Sequence, residues 1–274
     1  MTADAPQFVT VGSGAAERRI AVILDRPSPA AVASDGTPRP GLVWLPGFKS
    51  EMTSTKASDL AAFAREHRLP MTRLDYSGHG RSPGRIEEGT VSRWLEEVRA
   101  VFVGHTAGEQ ILIGSSMGGY LALLLVRALQ REAPAEAARI KALVLIAPAW
   151  DMTRLMWQRM GDSARRELEA TGVFLRPSRY GDGPYPITRA LIEDGRRHWL
   201  ADAAFDPGRP VHILHGLDDP DVPWEHTLDL VAHLAGDWTT VTAVPDGDHR
   251  LSRPQDLELL RGVIRRFIDG DATA

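Results

Sequence analysis

Short apolar runs alternate with amphipathic stretches along most of the chain. The runs predict β-strands at Leu42–Leu45, Met71–Leu74, Gln110–Ile113, Ala142–Ile146, Val211–Leu214 and Thr240–Val244. Between them, apolar residues recur at helical spacing in Ser58–Glu66, Val91–Phe102 and Met117–Gln130. Strands that alternate with helices are typical of βαβ units. The pattern therefore predicts an α/β fold with a mostly parallel sheet and helices on both of its faces.

Two regions depart from this alternation. Gln7–Val11 and Arg19–Leu24 are apolar, and a loop rich in proline and glycine follows them, so we expect the two edge strands of a hairpin. Later, about 60 residues from Trp150 to Arg209 separate two predicted strands, far more than one crossover helix needs. We expect an insertion there that packs on the edge of the sheet or over its carboxyl end, with Ile187–Leu200 as one of its helices.

Composition narrows the class of protein. The chain has 274 residues, 43% hydrophobic and 25% charged, which is ordinary for a globular protein and fits one domain over residues 1–274. Lys and Arg number 32 against 36 Asp and Glu, so a basic nucleic-acid-binding face is not expected. There is no cysteine, which excludes disulfides, thiolate metal sites and a cysteine nucleophile.

The sequence also bears on location. No apolar stretch approaches the roughly 18 residues of a membrane span. Met1–Phe8 has the features of neither a secretory signal nor a transit peptide. We therefore expect a cytoplasmic protein without a transmembrane segment.

The strongest candidate for chemistry is residues 114–118, which have the form G-x-S-x-G. They lie directly between the predicted strand Gln110–Ile113 and the predicted helix that begins at Met117. This setting is typical of a nucleophile elbow, in which glycines permit a tight turn and the middle serine is exposed at a helix N-terminus. Ser116 is the predicted nucleophile, and the Met117 N–H is expected to help stabilise an oxyanion.

A serine nucleophile needs a base and an acid that orients the base. His249 follows the last predicted strand and is the candidate base. The strand Val211–Leu214 leads into three acids, and the chemistry alone does not choose among Asp218, Asp219 and Asp221.

Several motifs together resemble the α/β-hydrolase superfamily. Residues 215–223 fit the pattern H-G-x-x-D-x-x-V-P, in which the acid holds the fifth position, here Asp219. Further motifs lie at residues 45–52, 55–57, 75–82, 114–119, 222–224 and 248–250. In combination they resemble a family of acyl-glucuronide esterases and palmitoyl-protein thioesterases with mitochondrial and bacterial members.

The resemblance implies an α/β-hydrolase fold with a mostly parallel eight-stranded sheet and a helical lid. It implies a triad of Ser116, Asp219 and His249, with the N–H of Phe48 as second oxyanion donor, and no metal or cofactor. Asp218 and Asp221 would then be turn and helix-cap residues. The expected substrates are small or lipid-like acyl compounds, namely carboxylic esters or thioesters of the acyl-glucuronide or S-acyl type.

The insertion carries Met152, Met156 and Met160 at helical spacing. Such a stripe is typical of an internal core, but the underside of a lid over an acyl pocket needs the same pattern. We expect residues 150–209 to form the lid, with these methionines against the substrate. A monoacylglycerol or lysophospholipid lipase and a non-catalytic binding module of the same fold are the alternatives, and the sequence does not determine the oligomeric state.

Overall fold

The computed structural model describes residues 5–27, 29–33, 36–178, 183–236 and 239–270. The strands are β1 (Gln7–Val11), β2 (Arg18–Asp25), β3 (Gly41–Leu45), β4 (Met71–Leu74), β5 (Gln110–Ser115), β6 (Ile140–Ile146), β7 (Val173–Arg176), β8 (Tyr185–Thr188), β9 (Val211–Gly216) and β10 (Thr239–Val244). The helices are α1 (Thr55–Glu66), α2 (Val91–His105), α3 (Met117–Glu132), α4 (Pro134–Ala138), α5 (Met152–Arg159), α6 (Asp162–Thr171), α7 (Arg189–Gly195), α8 (Trp224–His233) and α9 (Pro254–Asp269).

Eight strands form one sheet in the order β1-β2-β4-β3-β5-β6-β9-β10. All neighbours from β4 to β10 pair in parallel, while β1 with β2 and β2 with β4 pair antiparallel. The predicted mostly parallel eight-stranded sheet is thus confirmed. The prediction that both hairpin strands lie at the edge was wrong, because β2 also pairs with β4 and only β1 is at the edge.

Alternate residues of the central strands supply two separate cores. Val43, Leu45, Leu112, Leu143 and Leu145 point to the face covered by α2, α3 and α8. Leu42, Trp44, Ile111, Val144 and Ile146 point to the face covered by α1 and α9. Because side chains of a strand alternate between faces, apolar runs buried on both sides are what a sheet covered by helices requires. No helix in the described ranges is long and apolar enough to cross a membrane.

The insertion between β6 and β9 differs from the helical prediction. It contains α5, α6 and α7, but β7 and β8 also form a two-stranded antiparallel sheet. The predicted helix Ile187–Leu200 is wrong at its start, because Ile187 belongs to β8 and Thr188 caps α7 by accepting a hydrogen bond from the Leu191 N–H at 3.0 Å. Residues 179–182, within the insertion, lie outside the described residues.

Candidate active site

Ser116 lies between β5 and α3 in a strained backbone conformation. Its φ of 54° and ψ of −116° are unusual for a residue with a Cβ. The Ser116 N–H donates to the Ile146 carbonyl at 2.8 Å, and its own carbonyl accepts from the Gly119 and Ala149 N–H groups. These bonds hold the side chain at the carboxyl edge of the sheet, where it is half-buried.

The glycines that flank Ser116 are required by close backbone approach. A Cβ on Gly114 would lie 2.4 Å from the Gly118 carbonyl oxygen, and a Cβ on Gly118 would lie 2.0 Å from that of Leu45. No side chain fits at either distance. The G-x-S-x-G pattern therefore has a steric cause: the elbow packs directly against the end of β3.

The other two residues of the predicted triad meet Ser116. His249 Nε2 is 3.1 Å from Ser116 Oγ, and His249 Nδ1 is 2.7 Å from Asp219 Oδ2. Since Asp219 is a carboxylate, Nδ1 donates to it, which leaves the Nε2 lone pair facing the serine hydroxyl. Asp219 follows β9 and His249 follows β10, so parallel pairing brings both loops to the edge where Ser116 lies.

The Asp219 carboxylate is buried, and both of its oxygens accept hydrogen bonds. Its side chain is 0% exposed, and Oδ1 accepts from the N–H groups of Asp221 and Val222 at 2.8 and 2.9 Å. Burial raises the pKa of Asp219, but the hydrogen bond and charge of His249 and the two N–H bonds outweigh it, so the pKa is lower than usual. Asp219 is therefore ionised at neutral pH.

The neighbouring acids have other roles. The Asp218 N–H donates to the Gly247 carbonyl at 3.0 Å, which ties the two loops together. Asp221 does not cap a helix as expected, because the N-cap position of α8 is Pro223. The Asp221 carboxylate instead lies 3.8 Å from Arg176 of the insertion.

Asp219, Asp221 and His249 offer ligand atoms within 4.8 Å of one another, a spacing that would allow a metal ion. However, the oxygens of Asp219 already accept three hydrogen bonds, one of them from the ring nitrogen that a metal would need. The arrangement suits proton transfer better than cation binding.

Two backbone N–H groups beside Ser116 are available for an oxyanion. Within the described ranges, neither the Phe48 N–H nor the Met117 N–H donates to another group. Phe48 follows β3 and Pro46-Gly47, and a Cβ on Gly47 would lie 3.4 Å from Cβ of Ser116. The Phe48 loop thus passes directly beside the serine, as expected for an oxyanion hole.

Two cavities meet at Ser116 and His249. The first, of about 450 Å³, extends under the insertion and is here called the lid pocket. Its apolar wall includes Met152, Leu155, Met156, Met160, Phe174 and Ile187. Its polar wall includes Arg159, Arg176, Ser178 and Asp221. All three predicted methionines therefore line a cavity next to Ser116, although Met152 and Met160 are also buried in core clusters.

The second cavity, of about 500 Å³, is here called the polar pocket. Its wall includes Lys49, Ser50, Glu51, Ser54, Thr55, Lys56, His79, Arg250 and Ser252. Most of these residues come from the loop after β3 and the start of α1. The polar pocket shares Phe48, Ser116, Tyr185 and His249 with the lid pocket.

Phe48 and Tyr185 contribute to the walls of both cavities. Their rings stack with centroids 5.9 Å apart. Lys49 donates to the carbonyls of Gly183 and Pro184 at 2.9 and 3.2 Å, and its ammonium lies 5.4 Å from the Tyr185 ring centroid. The insertion thus contacts the loop that carries the Phe48 N–H.

Sequence reasoning assigned no role to the polar pocket, although most of its residues lie in the motifs at residues 45–52, 55–57, 75–82 and 248–250. Lys56 and Tyr185 show no periodic signal that separates them from surface or core residues. His79 lies in a tight turn: Asp75 Oδ2 accepts from the Arg81 N–H at 2.8 Å, and a Cβ on Gly80 would collide with Asp75. The glycine-rich motif could have drawn attention to His79, which lines the polar pocket.

The sequence matches the family model described as alpha/beta hydrolase over residues 36–258. The chain belongs to the alpha/beta hydrolase family. As expected of an alpha/beta hydrolase, the protein is similar to solved structures of that fold. A protein of Agrobacterium vitis S4 described as a hydrolase is 44% identical with a TM-score of 0.89, over 96% of this chain and 98% of its own.

Among alpha/beta hydrolases, the chain is similar to mitochondrial palmitoyl-protein thioesterase ABHD10. The Bos taurus protein is 32% identical over 231 residues, which is 84% of this chain and 73% of the relative. The Homo sapiens protein is 31% identical over the same shares. The structure of mouse ABHD10 is 28% identical with a TM-score of 0.81, over 96% of this chain and 99% of its own. The family resemblance inferred from the motifs is thereby confirmed.

Proposed function

We propose that the protein hydrolyses carboxylic esters or thioesters through an acyl-enzyme on Ser116, with His249 as base and Asp219 as orienting acid. The observation that carries this proposal is the chain of hydrogen bonds from Ser116 to His249 at 3.1 Å and from His249 to Asp219 at 2.7 Å. Membership of the alpha/beta hydrolase family supports it, as does the similarity to proteins named as thioesterases.

In the proposed reaction, Ser116 Oγ attacks the acyl carbon while its proton passes to His249 Nε2. The carbonyl oxygen becomes an oxyanion that the N–H groups of Phe48 and Met117 stabilise. The bond to the leaving group then breaks, and the leaving group departs with the proton held by His249. In the second half, His249 takes a proton from water, the hydroxide attacks the acyl carbon, and Ser116 regains its proton as the acid is released.

We also propose that residues 150–209 act as a lid on a single domain. In support, α5 and the β7–β8 sheet supply most of the apolar wall of the lid pocket. Apolar acyl groups, as in S-acyl thioesters or acyl-glucuronides, would lie against Met152, Met156 and Met160. A cytoplasmic location stays a prediction, since the ABHD10 relatives are named as mitochondrial.

The nucleophile is tested by two neighbouring serines. Ser116→Ala should lower kcat on aryl esters by several orders of magnitude, because the residues of a triad act as a unit. Ser115→Ala is the matched control, since this buried side chain takes no part in the proposed reaction. A fluorophosphonate probe should label the native protein and the Ser115 variant but not the Ser116 variant.

Absence of labelling and of esterase activity in the native protein would favour a non-catalytic binding module. A panel of esters and matched thioesters of increasing chain length, with monoacylglycerols and lysophospholipids included, identifies the preferred class. Preference for the glycerol substrates would replace the proposal with a lipase. Loss of activity on EDTA would overturn the metal-free reaction.

A further inference from the structure

The loop after β3 carries the Phe48 N–H beside Ser116 in a β-turn. The Gly47 carbonyl accepts from the Ser50 N–H at 3.0 Å, which closes the turn. Lys49, the third residue of the turn, has a φ of 62°, and a positive φ at that position is a feature of type II turns. In the planar peptide between Gly47 and Phe48, the N–H points away from the carbonyl. The bond to the carbonyl therefore also orients the Phe48 N–H.

A buried side chain holds the carbonyl one peptide earlier. Tyr76 Oη donates to the Pro46 carbonyl at 3.0 Å. The Tyr76 side chain is 0% exposed. Burial raises the pKa of its phenol well above the ordinary value, so the hydroxyl stays protonated and acts as the donor of this hydrogen bond.

Gly47 joins these two restrained peptides. The ring of Pro46 fixes its own φ, whereas Gly47 has no side chain and can adopt many backbone torsions. A Cβ on Gly47 would lie 3.3 Å from the Ser115 carbonyl oxygen and 3.4 Å from Ser116 Cβ, so the loop passes close to the serine at this residue. Without the restraint at Pro46, rotation about Gly47 would turn the Phe48 N–H away from Ser116.

The segment that carries the tyrosine also holds the far end of the loop. Asp75 Oδ1 accepts from the Met52 N–H at 2.6 Å. The Asp75 N–H donates to the Ala21 carbonyl of β2 at 3.0 Å. Asp75 and Tyr76, directly after β4, therefore bind the loop at Met52 and at Pro46, and the loop is fixed to the sheet on both sides of the proposed oxyanion donor.

Ring contacts connect Tyr76 with the Phe48 side chain as well. The His79 ring lies edge to face with both, at centroid distances of 5.4 Å from Tyr76 and 6.0 Å from Phe48. Trp94 contacts the same two rings at 6.4 and 5.7 Å. A change from tyrosine to phenylalanine keeps the ring and removes the hydroxyl, so it isolates the hydrogen bond to Pro46.

We propose that Tyr76 is a positioning residue of the oxyanion hole, whose hydroxyl acts through the Pro46 carbonyl to hold the Phe48 N–H in the orientation that meets the oxyanion. This proposal rests on the proposed hydrolysis at Ser116, because the oxyanion forms only there. The walls of the lid pocket and the polar pocket do not include Tyr76. Its hydroxyl should therefore affect the transition state far more than the binding of substrate.

Tyr76→Phe should lower kcat on an aryl ester by about tenfold to a hundredfold and leave KM nearly unchanged. The loss is expected to be smaller than the roughly 10²–10³-fold that follows removal of an oxyanion donor, because the N–H is misplaced for part of the time but still present. Tyr120→Phe is the matched control. Tyr120 is equally buried, lines neither cavity, and donates its hydroxyl to the His198 carbonyl at 2.9 Å, so its loss should leave kcat unchanged.

Two ketones separate positioning from a general structural role. With trifluoromethyl octyl ketone, Ser116 Oγ bonds to the carbonyl carbon, the serine proton passes to His249 Nε2, and the ketone oxygen becomes an oxyanion. Methyl octyl ketone serves as the analogue that binds without this addition. Tyr76→Phe should weaken inhibition by the trifluoromethyl ketone by the same factor as it lowers kcat/KM, and should leave inhibition by the methyl ketone unchanged.

Equal weakening of both ketones would overturn the proposal, since Tyr76 would then only support the shape of the site. An equal loss of kcat in Tyr120→Phe would overturn it too, because any buried tyrosine hydroxyl would then have the same effect.

Hydrogen exchange of the Ser50 amide, followed by NMR, separates this proposal from the proposed chemistry because it needs no turnover. The Ser50 N–H should exchange faster in Tyr76→Phe than in the native protein or in Tyr120→Phe. If the native protein hydrolyses no ester yet shows this change, the proposed function fails and the restraint of the loop by Tyr76 stands. If it hydrolyses esters and neither kcat nor the exchange changes in Tyr76→Phe, the positioning role fails and the proposed function stands.

Discussion

The substitution Asp219→Asn tests whether Asp219 holds the His249 ring in its active tautomer, because it changes a single atom of the side chain. In Asp219→Asn, one carboxylate oxygen becomes an NH₂ group. The N–H groups of Asp221 and Val222, at 2.8 and 2.9 Å, still need an acceptor, so the remaining oxygen will face them. The NH₂ then points at His249 Nδ1, which must accept, and the proton moves to Nε2. Nε2 then faces Ser116 as a donor and cannot take the serine proton.

The expected loss of kcat follows from the two orientations that the amide introduced by Asp219→Asn can adopt. If the amide rotates by 180°, its oxygen faces His249 Nδ1 and the active tautomer is restored. The N–H groups of Asp221 and Val222 then lose their acceptor, which costs about 1–3 kcal/mol for each unpaired group. The active tautomer is therefore rare, and kcat should fall by up to about 10⁴-fold, or roughly 5.4 kcal/mol. The assay is kcat on an aryl ester together with a melting curve, which should hardly change because the shape of the side chain is kept.

Asp218→Asn and Asp221→Asn are the matched controls. Both carry the same chemical change within two residues of Asp219, whereas the carboxylate that accepts from His249 Nδ1 is that of Asp219. Each should keep kcat within about tenfold. An active Asp219→Asn variant, or an inactive Asp221→Asn variant, would refute the assignment of the acid.

Three further outcomes follow from the packing and charges. Gly118→Ala should lower both kcat and the free energy of unfolding, the latter by about 1–3 kcal/mol, because the new Cβ would lie 2.0 Å from the Leu45 carbonyl oxygen. Gly262→Ala is the control and should lower neither quantity, because a Cβ there meets nothing within 4 Å. Met156→Gln should lower kcat/KM for an octanoyl ester far more than for an acetyl ester, since each buried methylene contributes about 0.8 kcal/mol; equal losses with a lower melting temperature would instead identify Met156 as internal core. Burial lowers the pKa of His212 to about 4, so the unfolded chain binds more protons than the folded chain between pH 6.5 and 4. The free energy of unfolding in urea should therefore fall as the pH drops through that range, and it should fall less steeply in His212→Gln.

The sheet could be predicted because its signals are local. Apolar runs such as Leu42–Leu45 and the elbow at residues 114–118 carry their own strand and turn chemistry, and strands that alternate with helices indicate a mostly parallel sheet. The end of each predicted strand then indicated where Ser116 and His249 would lie. Asp219 needed the family resemblance, because three acids in one loop are equivalent on chemistry alone.

The insertion and the polar pocket could not be predicted in the same way. Pro186 within a four-residue strand gives no usable periodicity, so the last two residues of β8 fall inside the helix predicted over Ile187–Leu200. Lys56 contacts Arg250, which is 194 positions away along the chain. No local pattern reports such a contact, and a lysine at a helix start is ordinarily a solvated surface residue.

Phe48 combines two properties that are chemically independent. Its main-chain N–H faces the reacting carbonyl in the proposed mechanism, whereas Phe48 also contributes to the walls of both the lid pocket and the polar pocket. A main-chain donor is present whatever side chain the residue carries. Substitutions at this position can therefore reshape both cavities while the oxyanion donor is retained, so the range of accepted substrates can change through one codon without rebuilding the catalytic centre.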